Sequence, residues 1–184
     1  MRGQRQMSIH NKIERPIGGK PGHGVLRPPR SGAEWLVGVG FRCWLAGYDT
    51  GDIACWENGW NEYSRLLGTE RAKRAVTELA CWIRAVRASA SRRIEYSPFD
   101  CAGFCADECM AISLIAASQH HRCPAMRACA LALTGSELVE PVIDAANAFA
   151  DVLQDANQRL SQDAVAALMA DGRKVDSNGL ADHR

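Results

Sequence analysis

An all-α fold is predicted for this chain by three observations. Apolar residues recur at intervals of three and four in several segments, which is the spacing of one helix face. The same segments are bounded by residues that begin or end helices, such as Asp52 and Gly68. No useful length of chain alternates apolar and polar residues as a strand does. We therefore predict a compact multi-helix bundle of about six helices.

The composition divides the chain into three parts. Residues 1–31 contain Gly and Pro every few positions and show no apolar period, so we predict a disordered basic N-terminal arm. Residues 32–172 carry the helical patterns and form the predicted bundle domain. Residues 173–184 are predicted to be a frayed tail. A chain of 184 residues, 47% of them hydrophobic, is long enough to bury the core of one domain.

Two helices are predicted at the start of the bundle. The first is the apolar segment EWLVGVGFRCWLAGY, in which Gly38 and Gly40 would let another helix approach closely. Asp52 can cap the second helix, which ends at Gly68. Large residues at helical spacing, which are more often core than a ligand surface, form the apolar face of this second helix. They are Ile53, Trp56, Trp60, Tyr63 and Leu67.

The third predicted helix is basic on one side and apolar on the other. It begins with Thr69 as its cap and continues to Arg93. Its predicted buried stripe consists of Val76, Leu79, Ile83 and Val86. Basic amphipathic helices bind phosphate backbones or acidic protein surfaces, and a merely solvated face has the same composition. The candidate partner-binding residues are Arg71, Lys73, Arg74, Arg84, Arg87, Arg92 and Arg93.

A fourth helix is predicted to begin at Asp100 or Gly103 and to reach His121, in a stretch with three cysteines at intervals of four. On one continuous helix Cys101, Cys105 and Cys109 would form a stripe of thiols. Two thiolates at this spacing can hold one soft ion, so the hypothesis is a site for Zn²⁺ or Cu(I). The pattern resembles the copper-storage four-helix bundles, whose helices are lined with thiols. Thiol redox chemistry and the packing of small core residues are the alternatives.

The predicted bundle ends with three further helices. Pro124 begins a short one that ends at Gly135, and Pro141 lies near the first turn of a longer acidic one. Residues 141–160 carry a near-heptad apolar stripe, which predicts either packing within the bundle or a homodimer. The stripe consists of Val142, Ala145, Phe149, Val152, Ala156 and Leu160. The last helix is predicted over residues 161–172.

The net charge of +1 conceals an asymmetry. Residues 1–33 carry a net charge of +6 and the remainder −5, which favours capture of a polyanion or self-association of the two parts. The apolar runs are too short for a membrane span, and the first residues lack the apolar stretch of a secretory signal. We therefore expect a cytoplasmic protein with reduced thiols.

A Gly-Tyr-x-x-Gly motif, Cys55 and a W-x-x-G-W motif follow one another over residues 47–60. This order resembles ribosome modulation factor, a small basic bacterial protein that holds ribosomes inactive, although the spacing between the motifs is shorter here. Like the basic arm and the basic helix, this resemblance favours a protein that binds another macromolecule.

These observations favour a non-enzymatic interaction or regulatory protein. It would bind another macromolecule, an acidic protein or a nucleic acid, through the basic arm and the basic helix. The alternative is a metal-binding or thiol-redox-responsive protein that uses Cys101, Cys105 and Cys109. No nucleophile, base and oxyanion donors can be placed together from the sequence, so we expect no catalysis.

Overall fold

A computed structural model describes residues 32–162, and the predicted all-α bundle is confirmed over this range. The arm of residues 1–31, the tail of residues 173–184 and residues 163–172 of the predicted last helix lie outside it. Between residues 32 and 162 there is no β-strand, and no helix is long and apolar enough to cross a membrane. Within residues 32–162 the chain forms six helices: α1 (Ala33–Thr50), α2 (Ile53–Leu67), α3 (Thr69–Ser89), α4 (Ala106–Gln119), α5 (Cys123–Thr134) and α6 (Glu140–Asp155).

The interior of the bundle is formed by α1 and α4. Every residue of α1 from Trp35 to Leu45 is buried, and so are nearly all residues of α4 after Ala106. Both helices are apolar on most of their circumference, which is the pattern expected of a central helix. Each also carries a buried charge, Arg42 on α1 and Glu108 on α4. Because an isolated buried charge is very costly, these two side chains must find partners.

Three aromatic rings from three helices pack in the core. The ring of Trp82 on α3 lies 5.7 Å from that of Phe41 on α1 and 5.6 Å from that of Phe149 on α6. Trp82 is fully buried and lies beside the predicted stripe residue Ile83. Its two large neighbours join α1, α3 and α6 into one apolar interior.

The apolar stripe of residues 141–160 packs inside the bundle, which was one of its two predicted roles. Val142, Phe149, Ala156 and Leu160 are buried, and α6 packs against α3 and α4. The stripe therefore serves the core of this chain, and a homodimer through residues 141–160 stays a prediction.

Gly40 on α1 provides the close helix approach that the sequence predicts. A β-carbon at Gly40 would collide with the buried ring and hydroxyl of Tyr63 on α2, and one at Gly38 would collide with Phe104, which precedes α4 and belongs to no helix. Gly59 lies in the same way against Trp44. The W-x-x-G-W motif thus has a packing role, because its glycine leaves room for a ring from the neighbouring helix.

The helix boundaries agree with the sequence at α2 and differ at α3. Asp52 caps α2 by accepting a hydrogen bond from the backbone N–H of Ala54 at 2.9 Å, as predicted. Ile53, expected on the apolar face, is instead 66% exposed. The predicted end of α3 at Arg93 is wrong, since the helix ends at Ser89. The next residue but one, Ser91, turns away and donates its N–H to the Thr134 carbonyl at the end of α5.

Candidate functional site

The segment between α3 and α4, residues 90–105, is the candidate functional site, and we refer to it as the α3–α4 loop. Arg92, Arg93, Cys101 and Cys105 lie in this loop. Arg87 precedes it within the last turn of α3, and Cys109 follows it within the first turn of α4. The fold therefore brings one end of the predicted basic segment and all three candidate metal ligands to the same end of the bundle.

The loop is organised around an ion pair in the interior of the protein. Nε of Arg42 donates to Oε1 of Glu108 at 2.7 Å, and Nη2 donates to Oε2 at 3.1 Å. Only 1% of the Arg42 side chain and none of the Glu108 side chain is exposed. A guanidinium that meets a carboxylate with two parallel hydrogen bonds forms the strongest type of charged pair in proteins.

The rest of the Arg42 guanidinium holds the backbone of the loop. Nη1 lies within hydrogen-bond distance of three carbonyls, those of Pro98 at 3.0 Å, Phe99 at 3.3 Å and Cys101 at 2.9 Å. Nη2 also donates to the Gly103 carbonyl at 2.7 Å. The loop curves around one side chain from α1, because a single planar cation supplies the donors that its carbonyls need.

Glu108 fixes the same loop from the other side. Its carboxylate accepts hydrogen bonds from the N–H of Ser97 at 3.1 Å, the hydroxyl of Ser97 at 2.9 Å and the N–H of Cys105 at 2.7 Å. The bond from Cys105 is half of a capping box, in which the third residue of the helix satisfies the backbone of the cap. The Glu108 carboxylate therefore both begins α4 and neutralises the charge of Arg42.

A second pair, between Arg92 and Asp107, fastens the beginning of the loop. The Arg92 guanidinium donates to both oxygens of Asp107, at 2.8 and 2.6 Å, and to the Ala132 carbonyl of α5 at 2.9 Å. Asp107 also accepts from the N–H of Glu95 at 2.8 Å. The hydrogen bond between the Arg92 guanidinium and Asp107 raises the pKa of Arg92 above its ordinary value. Arg92, predicted to bind a partner, makes its hydrogen bonds within the protein.

The prediction of a single helical stripe of thiols is wrong. Because α4 begins at Ala106, Cys101 lies in the loop and Cys105 is the residue that caps the helix, leaving only Cys109 inside it. The physical reason is Glu108, whose bond to the Cys105 N–H begins the helix there, while Arg42 holds the preceding residues in a curved path. The Cys105 thiol lies 3.4 Å from the Glu95 carbonyl.

Three thiols of the protein, those of Cys105, Cys43 and Cys129, have a raised pKa. Burial raises the pKa of Cys105 to about 11, and the negative charge of Glu108 adds to this effect. Burial likewise raises the pKa of Cys43 to about 12 and that of Cys129 to about 11. A thiolate is the form that attacks disulfides and binds metal ions, so the Cys105 environment opposes both reactions at neutral pH.

Residues 32–162 contain no group of three or more His, Cys, Asp or Glu side chains placed to hold a metal ion. Binding of Zn²⁺ or Cu(I) at Cys101, Cys105 and Cys109 stays a prediction. Elemental analysis of protein purified without chelators tests it, with Cys105→Ser/Cys109→Ser as the variant that would lose the metal.

Most cations of the basic segment lie on the outward side of α3 and are exposed. Lys73 pairs with Glu70 at 2.8 Å, Arg74 with Asp155 at 3.6 Å and Arg87 with Asp49 at 3.3 Å. Among the described residues no carboxylate lies within ion-pair distance of three further arginines: Arg71, Arg84 and Arg93. The positive charge of this surface is therefore only partly compensated.

Two shallow depressions lie along this basic surface. One, of about 190 Å³, is lined by residues from the ends of α1 and α3 and from the start of the α3–α4 loop. The other, of about 230 Å³, lies between α3 and α6 and is lined by Lys73, Arg74, Thr77, Glu78 and Val152.

Sequence reasoning missed Arg42 and Glu108, although a signal for Arg42 exists. It is the only charged residue between Trp35 and Tyr48 in an otherwise apolar helix. A lone arginine in such a helix must be buried, and a buried arginine needs a carboxylate.

No protein-family model, curated protein or solved structure matches this chain.

Proposed function

We propose that this chain is a non-enzymatic protein that binds an anionic macromolecule. The contact is made by the basic arm of residues 1–31 together with the outward side of α3. We call that side of the helix the basic face of α3, and it consists of Lys73, Arg74, Arg84 and Arg87. The arm lies outside the described residues and enters the proposal through its charge alone.

The observation that carries the proposal is the segregation of charge around α3. With about 100° of rotation per residue, Lys73, Arg74 and Arg84 lie on the side away from Leu79, Ile83 and Val86, which are fully buried, and Arg87 lies at the edge of the buried side. All four cations are exposed; on α3 the acidic residues near them are Glu70, which is exposed, and Glu78, which is half-buried. An exposed surface with an excess of arginine and lysine attracts polyanions and accelerates their encounter with the protein.

The ion pairs on this face do not prevent such binding. The partners Glu70 and Asp155 are themselves largely exposed, and the Arg74–Asp155 and Arg87–Asp49 pairs are longer than 3 Å. Exposed pairs of this kind contribute about 0–1 kcal/mol to stability. A phosphate or carboxylate of a partner can therefore replace them at small cost.

Fluorescence anisotropy with a labelled duplex DNA and with labelled polyglutamate, each over a range of salt concentrations, tests the proposal. The full-length chain is compared with a variant in which Lys73, Arg74, Arg84 and Arg87 are replaced by Gln. The charge-matched control replaces four exposed arginines away from α3: Arg65, Arg122, Arg127 and Arg159.

We expect the affinity of the wild-type chain for at least one probe to fall steeply with salt. In the α3 variant, the slope of log K against log salt concentration should become less steep by about one for each lost phosphate contact. In the control, the slope should stay as steep as in the wild-type chain. Equal losses in both variants would mean that net charge alone attracts the probe. No binding of either probe at low salt would overturn the proposal.

A further inference from the structure

The depression where the C-terminal ends of α1 and α3 meet has the features of a site for one anionic group. Apolar and charged side chains line it. We call the apolar ones its floor, namely Leu45, Ala90 and Ile94, and the charged ones its wall, namely Asp49, Arg87, Arg92 and Arg93. We call this site the arginine depression.

The three arginines of the wall differ in how far their guanidinium groups are already engaged by other protein groups. Arg92 is fixed by its two hydrogen bonds to Asp107, and it also donates to the Arg93 carbonyl at 3.0 Å. Arg93 is exposed, and no carboxylate of the described residues lies within ion-pair distance of it. Arg87 rests over the ring of Tyr48, with its guanidinium carbon 5.0 Å from the ring centre. The Arg92 guanidinium thus has a structural role, whereas N–H groups of Arg87 and Arg93 can donate hydrogen bonds to a ligand.

Asp49 is the carboxylate among the residues that line the depression. It lies in the last turn of α1, where the negative end of the helix dipole disfavours any anion, so an anion here depends on the neighbouring arginines. Its compensation comes from Arg87, 3.3 Å away, and from a hydrogen bond with the Tyr96 hydroxyl. Because 38% of its side chain is exposed, it can leave Arg87 without the rest of the fold moving.

We propose that the arginine depression binds the phosphate group of a phosphorylated side chain on an acidic partner protein. Arg87 and Arg93 bind the phosphate, and Asp49 is an internal competitor that the phosphate displaces from Arg87. The proposal rests on the proposed function, because it assigns one point of the basic surface to one group of the partner.

Three features favour a phosphate monoester over other anions. It carries a charge of about −1.5 to −2, against −1 for Asp49, so it can displace that carboxylate. Its oxygens can accept from two guanidinium groups at once, whereas the Asp49 carboxylate is paired with Arg87 alone among the arginines. A depression of about 190 Å³ suits a single group, whereas a nucleic acid backbone needs a continuous groove.

NMR titration of the full-length chain with a Gly-phosphoserine-Gly peptide tests the proposal. The Arg Nε–H signals and the backbone amides of residues 91–96 report binding, and the probes for comparison are the unphosphorylated peptide and a dinucleotide. We expect the phosphopeptide to bind the wild-type chain more tightly than either. Asp49→Asn should tighten its binding several-fold, because the competitor loses its charge. Arg87→Gln and Arg93→Gln should each weaken it about tenfold, the value of one charged hydrogen bond.

The control for these variants is Arg127→Gln, which removes an exposed cation from α5 and should leave the affinity unchanged. An Asp49→Asn variant that binds the phosphopeptide no better than wild type would overturn the proposal, as would a dinucleotide that binds equally well. The melting temperature is measured in parallel, because arginines also complement the negative ends of helices. Lower stability of Arg87→Gln with unchanged affinity would make its role structural and would likewise refute the assignment.

The two proposals fail in different ways. Binding of the phosphopeptide, without binding of DNA or polyglutamate, would support the arginine depression and refute the proposed function. Binding of a polyanion through the basic face would support the proposed function, and the depression would be refuted if the affinity for the phosphopeptide neither fell in Arg93→Gln nor rose in Asp49→Asn.

Discussion

Replacing Arg42 with Met keeps much of the length and apolar stem of the side chain but removes the cation that holds the α3–α4 loop. The Glu108 carboxylate, none of which is exposed, then loses both hydrogen bonds from the guanidinium. Its remaining donors are the N–H and hydroxyl of Ser97 and the N–H of Cys105. The carbonyls that faced Arg42 lose their donor as well, namely those of Pro98, Phe99, Cys101 and Gly103.

The magnitude follows from the burial of the pair. Removal of one partner from a buried ion pair costs about 3–5 kcal/mol, because the other charge stays in the interior without compensation. We therefore expect Arg42→Met to lower the free energy of unfolding by about 3–5 kcal/mol. For a chain of this size that corresponds to a fall in Tm of roughly 6–20 °C. The double variant Arg42→Met/Glu108→Leu should cost less than the sum of the two single changes, because it leaves neither charge unpaired.

Urea denaturation followed by circular dichroism gives these free energies, and hydrogen exchange locates the effect. The amides of Ser97, Cys101 and Cys105 should exchange much faster in Arg42→Met, since their acceptors belong to the network or to the loop. A cost below about 1 kcal/mol, or single effects that simply add in the double variant, would refute the reasoning that this pair organises the loop.

Two further predictions concern the core. Gly40→Ala should lower the free energy of unfolding by about 1–3 kcal/mol, measured by urea denaturation, because its β-carbon would lie against Tyr63 and only 2.9 Å from Leu79; an unchanged midpoint would show that α2 can shift freely. Stability should also fall as the pH rises from 9 towards 12. The unfolded chain then ionises Cys43, with an ordinary pKa of 9.0, while the folded chain keeps it protonated because burial raises the pKa to about 12. The Cys43→Ala variant, melted at the same pH values, should lose this part of the pH dependence.

Local sequence patterns were sufficient for most of the helices, since the interactions that begin, end and orient a helix lie within a few residues. Asp52 reaches the N–H of Ala54 two positions away, and Gly68 ends α2 where the sequence predicts. The spacing of cations on α3 likewise placed Lys73 and Arg84 on its outward side without tertiary information.

The candidate site could be predicted only in part, because its geometry depends on contacts that are distant in the sequence. Arg92 belongs to the predicted basic helix by composition, yet it lies beyond the helix end and donates to Asp107 and to a carbonyl of α5. Asp49 carries no signal of a role until α1 and α3 place it beside Arg87. The arginine depression is therefore invisible in the order of residues.

The sequence by itself determined that this chain is a helical bundle with a basic outward face on α3, since both follow from periodicity within single segments. The tertiary structure alone decided where the three cysteines lie relative to α4. Arg42 and Glu108 lie 66 residues apart, and their pairing curves the chain before α4 and starts that helix only after Cys105. The periodicity of apolar residues within one segment cannot predict this pairing, because the free energy of a buried charge depends on a partner supplied by another helix.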